Sequence, residues 1–238
     1  MGALRLLVAD GSEIVRKGLC AFVREQPGWE LTAEARDGRE AVEITKQLKP
    51  EVAILDIGMP FLNGLEATRQ IAKSGSPTKV LLLTTHNTEL LAHQAGAVGA
   101  HGYLLKSDTA HDLISAVEAL RSGRTFFSSI VDKFIREGSL RRTLKRTDPL
   151  GTQPISLLTH RQREVVQLLA EEYSNKEVAA ALKISPKTAE KHRSDIMGRI
   201  NCHSVVGLFA MPSVTTSLTP DLCPGWMERL WQQRPFHL

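Results

Sequence analysis

Four residues in the first half of the chain have the chemistry needed to handle a phosphoryl group: Asp10, Asp56, Thr84 and Lys106. A carboxylate such as Asp56 can attack phosphorus and form an acyl phosphate. The reaction brings two anions together and so requires cations. Mg²⁺ held by oxygen ligands supplies one, and a nearby lysine supplies another. In that chemistry Asp10 holds the metal, Lys106 pairs with the phosphoryl oxygens and Thr84 hydrogen-bonds to one of them. Taken singly, each has an ordinary structural job: an Asp that caps, a polar Thr that closes a strand, a Lys on the surface. Their shared position in the local pattern is what points to chemistry.

That pattern is an alternation of strand and helix over the first ~125 residues. Short apolar runs at 4–9, 31–35, 52–55, 80–83 and 103–105 read as strands buried on both faces of a parallel sheet. Amphipathic stretches lie between them. Ile14, Leu19, Phe22 and Val23 form one stripe, and Ala41, Val42, Ile44 and Leu48 a second. Leu65, Thr68, Ile71 and Ala72 form a third, and Leu113, Val117 and Leu120 a last one. Five βα units in sequence predict a doubly wound α/β sandwich. Reactive residues collect at the carboxyl ends of the strands in such folds. Asp10, Asp56, Thr84 and Lys106 follow strands one, three, four and five.

Composition narrows the function classes. The chain has 238 residues, 42% hydrophobic and 24% charged, which is ordinary for a globular protein and excludes wholesale disorder. No uncharged apolar run approaches the ~18 residues that span a bilayer, so no membrane partner is expected. The N-terminal apolar run is too short for a signal peptide, and the expected location is the cytoplasm. Cys20, Cys202 and Cys223 lie far apart, against a zinc module or a disulfide framework. The net charge of +4 is unevenly placed: residues 1–132 carry −2, 133–203 carry +6 and 204–238 carry none. A basic module joined to a mildly acidic one points to a polyanion partner for the C-terminal part.

The divisions follow from these patterns: an α/β domain over 1–125, a linker over 126–156, a small all-α domain over 157–211 and a divergent tail over 212–238. In the third part, Thr159-x-x-Gln162 and Ser174-x-x-Glu177 fit capping boxes. Ser185-Pro186 fits an N-cap with proline in the first helical position. Apolar positions at helical spacing predict three helices, the third with Ala189, Ile196 and Ile200 inward. Asn201 stands where that helix stops, and a short fourth helix is expected over 204–211.

Here the sequence resembles a known family. Leu6-Leu7-Val8-Ala9-Asp10, the run from Ile54 through Asp56, Met59 and Pro60 to Asn63-Gly64, Val80 to Thr84, and Gly99 to Lys106 look like the motifs of a two-component receiver domain. Leu158-Thr159-x-Arg161-x-Arg163-Glu164-Val165, Ser174 to Ala179 and Ser185 to Arg193 resemble a LuxR-type helix-turn-helix. The combination is similar to the NarL/FixJ family of response regulators, over residues 4–210. The resemblance implies a flavodoxin-like receiver in which Asp56 accepts a phosphoryl group from a sensor histidine kinase. Thr84 and Lys106 match the switch hydroxyl and the phosphate-pairing lysine. Tyr103 matches the aromatic that changes position on activation, and the Gly58 carbonyl matches a metal ligand beside Asp10 and Asp56. The implied output is DNA binding, with a homodimer as the active form. Helix-turn-helix proteins set the start of their third helix in the major groove. Lys191 and Glu190 then face base edges, with Lys187 and Ser194 on the same or flanking surface. Asn175, Lys176, Thr188, His192 and Arg193 are matched to phosphate contacts or support; for His192 a half-buried structural role is the other reading.

Three departures bear on function. The family pattern after strand one is a pair of acids, but this chain has Asp10-Gly11. One carboxylate fewer predicts weaker Mg²⁺ binding and slow phosphorylation, because hard-cation affinity follows ligand charge. Glu13 is close in sequence, but at a helix start its ordinary role is to favour the dipole. Glu172-Tyr173 replaces a Gly-containing turn, so a looser turn is expected there. Beyond residue 211 the resemblance ends. An aspartyl-phosphate enzyme would need an acid two residues past its nucleophile, and Gly58 stands there, so no enzyme activity is expected. The alternative is a transcription regulator whose receiver no longer uses phosphate.

Overall fold

A computed structural model of the protein describes residues 2–86, 89–127 and 158–200. The chain divides into two units, Met1–Thr147 and Asp148–Leu238. The first contains β1 (Leu4–Ala9), α1 (Glu13–Glu25), β2 (Trp29–Ala35), α2 (Gly38–Leu48), β3 (Val52–Asp56), α3 (Gly64–Lys73), β4 (Lys79–Thr84), α4 (Glu89–Val98), β5 (Gly102–Leu105), α5 (Ala110–Arg121) and β6 (Phe126–Phe127). All strand pairs are parallel, in the order β2-β1-β3-β4-β5-β6.

The central strands are apolar at successive positions because both faces are covered. Leu7, Ala9, Ala53, Leu55, Leu82 and Tyr103 point to one face, where Ala41, Val42, Leu65, Ile71, Leu91 and Ala95 of α2, α3 and α4 meet them. Leu4, Leu6, Val8, Ile54, Leu81, Leu83 and Leu104 point to the other, against Cys20, Val23, Leu113, Ala116, Val117 and Leu120 of α1 and α5. The two faces alternate along each strand with the period of two that the pleat requires. The chain reverses its order of winding between β1 and β3, so the carboxyl ends of these neighbours open a cleft. Asp10 follows one and Asp56 ends the other.

The structure departs from the sequence pattern at several points. A sixth strand, Phe126–Phe127, extends the sheet and lies within the stretch read as linker. Its two aromatics pack on opposite faces of the sheet. Ile14 (85% exposed), Leu48 and Ala72 belong to the predicted apolar stripes but are exposed. Each lies in the first or last turn of its helix.

The second unit contains α6 (His160–Ala170), α7 (Asn175–Leu182) and α8 (Pro186–Ile200). Both capping boxes form: Thr159 with Gln162, and Ser174 with Glu177. Each satisfies two otherwise orphaned amides. Val165, Val166, Leu168, Val178, Leu182, Ala189, Ile196 and Ile200 are buried. The turn after α6 is tight. The amide of Tyr173 donates to the Leu168 carbonyl at 3.0 Å and that of Glu172 to Leu169 at 3.2 Å. Glu172 takes the left-handed φ of 66° that glycine would normally supply, so the expected loosening does not occur. Most of the predicted linker, Asn201, the fourth helix over 204–211 and the tail over 212–238 lie outside the described residues. Among the described residues no helix is long and apolar enough to cross a membrane.

Candidate phosphoacceptor site and nucleic-acid interface

The cleft gathers three of the predicted residues through direct contact. Lys106 Nζ lies 2.9 Å from Asp10 Oδ2 and 2.9 Å from Asp56 Oδ1. Asp10 is fully buried and Asp56 nearly so. Burial alone would draw the lysine pKa down. The charge of Asp56 and hydrogen bonds to both carboxylates outweigh it and raise the pKa above the ordinary lysine value.

Asp10 is held from several sides. Its amide donates to the Ala35 carbonyl at 3.1 Å. Its Oδ1 accepts from the Ser12 amide at 2.8 Å, and its carbonyl accepts from Arg16 Nη1 at 2.8 Å. Asp56 is backed by Gly64, the first residue of α3: a Cβ there would overlap the Asp56 carbonyl, so only glycine lets the helix start this close. Asn63 caps the same helix by accepting from the Glu66 amide at 2.9 Å.

Thr84 and Tyr103 meet at a residue that the sequence did not single out. The His86 amide donates to Thr84 Oγ1 at 3.1 Å, and the His86 carbonyl accepts from the Tyr103 hydroxyl at 2.9 Å. Tyr103 is fully buried. Its hydroxyl pKa is pushed up to about 12, first by burial and then by the charge of Asp108. Thr84 is tied to Lys106 as well, through the Lys106 amide and the Thr84 carbonyl at 2.7 Å.

The two buried carboxylates that meet at Lys106 are oxygen donors that suit a hard cation such as Mg²⁺. The set has no third acid. Among the described residues no three His, Cys, Asp or Glu side chains come together. Glu13 is the exposed first residue of α1. At position 11, a Cβ would come within 2.8 Å of Pro60 Cδ.

The helical unit presents a polar face. Lys187, Thr188, Glu190, Lys191 and Ser194 are exposed on α8, whose apolar side is Ala189, Ile196 and Ile200. Positions 187, 190, 191 and 194 have the i, i+3, i+4, i+7 spacing of one helical face. Thr188 is engaged in capping: its amide donates to Ser185 Oγ at 3.0 Å, with the two hydroxyls 2.8 Å apart. His192 and Arg193 are half-buried. Arg193 Nη1 donates to Asn175 Oδ1 at 3.4 Å, linking α8 to the start of α7, where Lys176 is exposed.

Residues 6–118 match the response regulator receiver domain, and residues 156–211 match the luxR family of bacterial regulatory proteins. The chain is 32% identical over 236 residues to the transcriptional regulatory protein DegU of Brevibacillus brevis, covering 94% of this chain and 95% of that one. It is 33% identical over 207 residues to the oxygen regulatory protein NreC of Staphylococcus epidermidis, covering 84% and 93%. A solved two-component response regulator of the LuxR family from an Aurantimonas species is 31% identical. It aligns with a TM-score of 0.54 over 58% of this chain and 99% of its own.

Proposed function

The chain belongs to the NarL/FixJ family of two-component response regulators, in which a receiver is joined to a LuxR-type DNA-binding domain, and on that premise we propose that phosphorylation of Asp56 switches it. The donor is a phosphohistidine of a sensor kinase. An Asp56 oxygen attacks phosphorus, the P–N bond breaks, and the departing imidazole nitrogen takes up a proton. Lys106 turns from its two carboxylates to the new phosphoryl oxygens. The Thr84 hydroxyl donates to one of them, and this draws on the His86 segment that Tyr103 also holds. Mg²⁺, when held by Asp10, Asp56 and the Gly58 carbonyl, supplies charge neutralisation between the two anions.

The output is DNA binding by the helical unit as a homodimer in the cytoplasm. Lys191 and Glu190 read base edges from the major groove. Lys187 and Ser194 flank them on the same helix. Asn175, Lys176, Thr188, His192 and Arg193 contact phosphates or support the reading helix.

The single observation that carries this reading is the Lys106 ammonium 2.9 Å from both acidic side chains in one cleft. The test is incubation of the full chain and its Asp56→Asn variant with acetyl phosphate and Mg²⁺. Phosphoprotein, sedimentation and duplex binding are then measured. The expected result is slow, Asp56-dependent phosphorylation with tighter dimerisation and DNA binding. A second reading, a regulator that works without phosphate, is favoured by the closeness of Pro60 to position 11. Unchanged assembly and DNA binding after acetyl phosphate treatment would select it.

A further inference from the structure

We infer that Arg16, tied to Glu34, is a positioning residue for Asp10. The inference rests on the reading of Asp10 as a ligand to the divalent cation. It starts from helix geometry. Arg16 sits in the first turn of α1, and Cys20 and Val23 lie four and seven residues further along the same face. That face packs toward β2, where Glu34 stands beside Val8 of β1. Arg16 is therefore nearly buried, its side chain 13% exposed, and its guanidinium spans two elements. Nε donates to Glu34 Oε2 at 3.3 Å, and Nη1 donates to the Asp10 carbonyl at 2.8 Å. Glu34 is itself fixed by Lys17 at 3.1 Å, and Cys20 Sγ lies 3.9 Å from its Oε2. Lys17 and Arg16 hold the Glu34 carboxyl below its ordinary pKa, so it stays charged.

The turn that this network braces begins with Asp10 and continues through Gly11. A glycine there leaves the backbone freer than any other residue would. The Asp10 carboxylate is aimed by its own backbone and by the Ser12 amide. Arg16 grips the carbonyl between those two points, whereas the Lys106 ammonium meets the carboxylate. In a site with one carboxylate fewer, affinity depends more strongly on the aim of the remaining one. Outer partners that orient metal ligands commonly change metal affinity by about 10–100-fold when removed. Arg16 acts on Asp10 in the same way, from the backbone side.

The experiment uses the full chain and its Arg16→Met, Arg16→Lys and Glu34→Gln variants. Two quantities are followed by amide NMR: hydrogen exchange of Ser12, and the shifts of Gly11 and Ser12 as MgCl₂ is added. Arg16→Met is expected to speed Ser12 exchange and weaken Mg²⁺ binding, each about tenfold. Arg16→Lys restores part of both, and Glu34→Gln moves both in the same direction by less. A folded Arg16→Met protein within twofold of the parent in both quantities overturns the proposal. If Arg16→Met does not fold, Glu34→Gln decides it by the same two readings. If the parent chain binds no Mg²⁺, the metal reading fails on its own, and Ser12 exchange alone judges the role of Arg16.

Discussion

The ring of Pro60 borders the place where a side chain at position 11 would begin, with 2.8 Å between its Cδ and a Cβ on Gly11. Proline Cδ is bonded to the backbone and cannot swing away as the end of a flexible side chain does. Gly11→Asp therefore does not simply return the missing acid. It is expected to destabilise the receiver by about 1–3 kcal/mol through overpacking, with little gain in Mg²⁺ affinity. Gly11→Asp with Pro60→Ala is expected to bind Mg²⁺ more tightly than either single variant. Urea unfolding and Mg²⁺ titration of the three proteins check this. A stable Gly11→Asp protein with tightened Mg²⁺ binding would contradict it.

Lys106→Met removes the ammonium that lies between two buried carboxylates. Breaking a buried ion pair from one side costs about 3–5 kcal/mol, and the loss should depend on pH. Without the ammonium, repulsion between the two neighbouring carboxylates is expected to favour a proton on one of them and so to raise its folded-state pKa above the unfolded value. Its protonated form is then favoured by folding. The variant is therefore closest to the parent in mild acid and falls behind as pH rises through that raised pKa. In the parent, the raised pKa of Lys106 has the matching sign: its contribution is full below the unfolded lysine value and is lost as pH rises past the folded one. Urea midpoints across pH 4.5–8 distinguish the two proteins. A constant gap would show that carboxylate repulsion is not the cause.

The strand runs and helix caps were legible because they are local. Burial on both faces of a parallel sheet leaves an unbroken apolar run, as in Val52 to Leu55. A capping box needs only two residues three apart, as in Thr159 and Gln162. The acidic cleft was legible by a different route: parallel strands send every carboxyl end to one edge, so Asp10, Asp56 and Lys106 had to approach one another. Other features depend on partners far away in sequence. β6 is two residues long and exists because β5 offers an open edge, which Phe126 and Phe127 cannot signal alone. α4 is apolar or small at most positions, so it has no clear stripe to read. His86 joins Thr84 and Tyr103 through its backbone, and no side-chain pattern marks that. The i+6 spacing of Arg16 from Asp10 gives no sign of a contact made through a carbonyl.

His101 should make the sheet sensitive to mild acid. Its Nδ1 accepts from the Val80 amide at 3.2 Å, and its Nε2 lies 3.4 Å from Lys79 Nζ. An accepting Nδ1 and a neighbouring ammonium both oppose the second proton that would charge the ring. Burial, followed by the Lys79 charge, holds its pKa below the ordinary 6.5. The unfolded chain therefore binds a proton that the folded chain refuses. This contribution is present above pH 6.5 and is lost as pH falls toward the folded value. His101→Gln should flatten the fall in unfolding midpoint between pH 7.5 and 5.5. An unchanged slope would remove His101 from the acid response.

Glu172 carries a left-handed φ of 66° in a turn whose two hydrogen bonds are made by backbone amides, which a glycine would keep. An L-residue in that region costs roughly 1–2 kcal/mol, part of which glycine returns as entropy of the unfolded chain. Glu172→Gly should stabilise the helical unit by about 1 kcal/mol. The unfolding transition of that unit by circular dichroism is the measurement. A loss of stability would mean that the Glu172 side chain contributes more than the strain removes.

The two lysines proposed to contact DNA should fail in different ways. Lys191 projects from the outer face of α8, opposite Ala189 and Ile196, at the end that a helix-turn-helix sets into the major groove. Lys176 is exposed in the first turn of α7, a position suited to the phosphate backbone. Base contacts discriminate among sequences, whereas phosphate contacts release counterions whatever the sequence. Duplexes selected from a random pool by the full chain provide specific sites, and a shuffled duplex provides the reference. Lys191→Ala should weaken specific binding by about 1–3 kcal/mol and reference binding by less. Lys176→Ala should weaken both alike and lower the salt slope by about one. Equal losses from Lys191→Ala on the two duplexes would place Lys191 on the backbone and leave base reading to Glu190 and its neighbours on the same face.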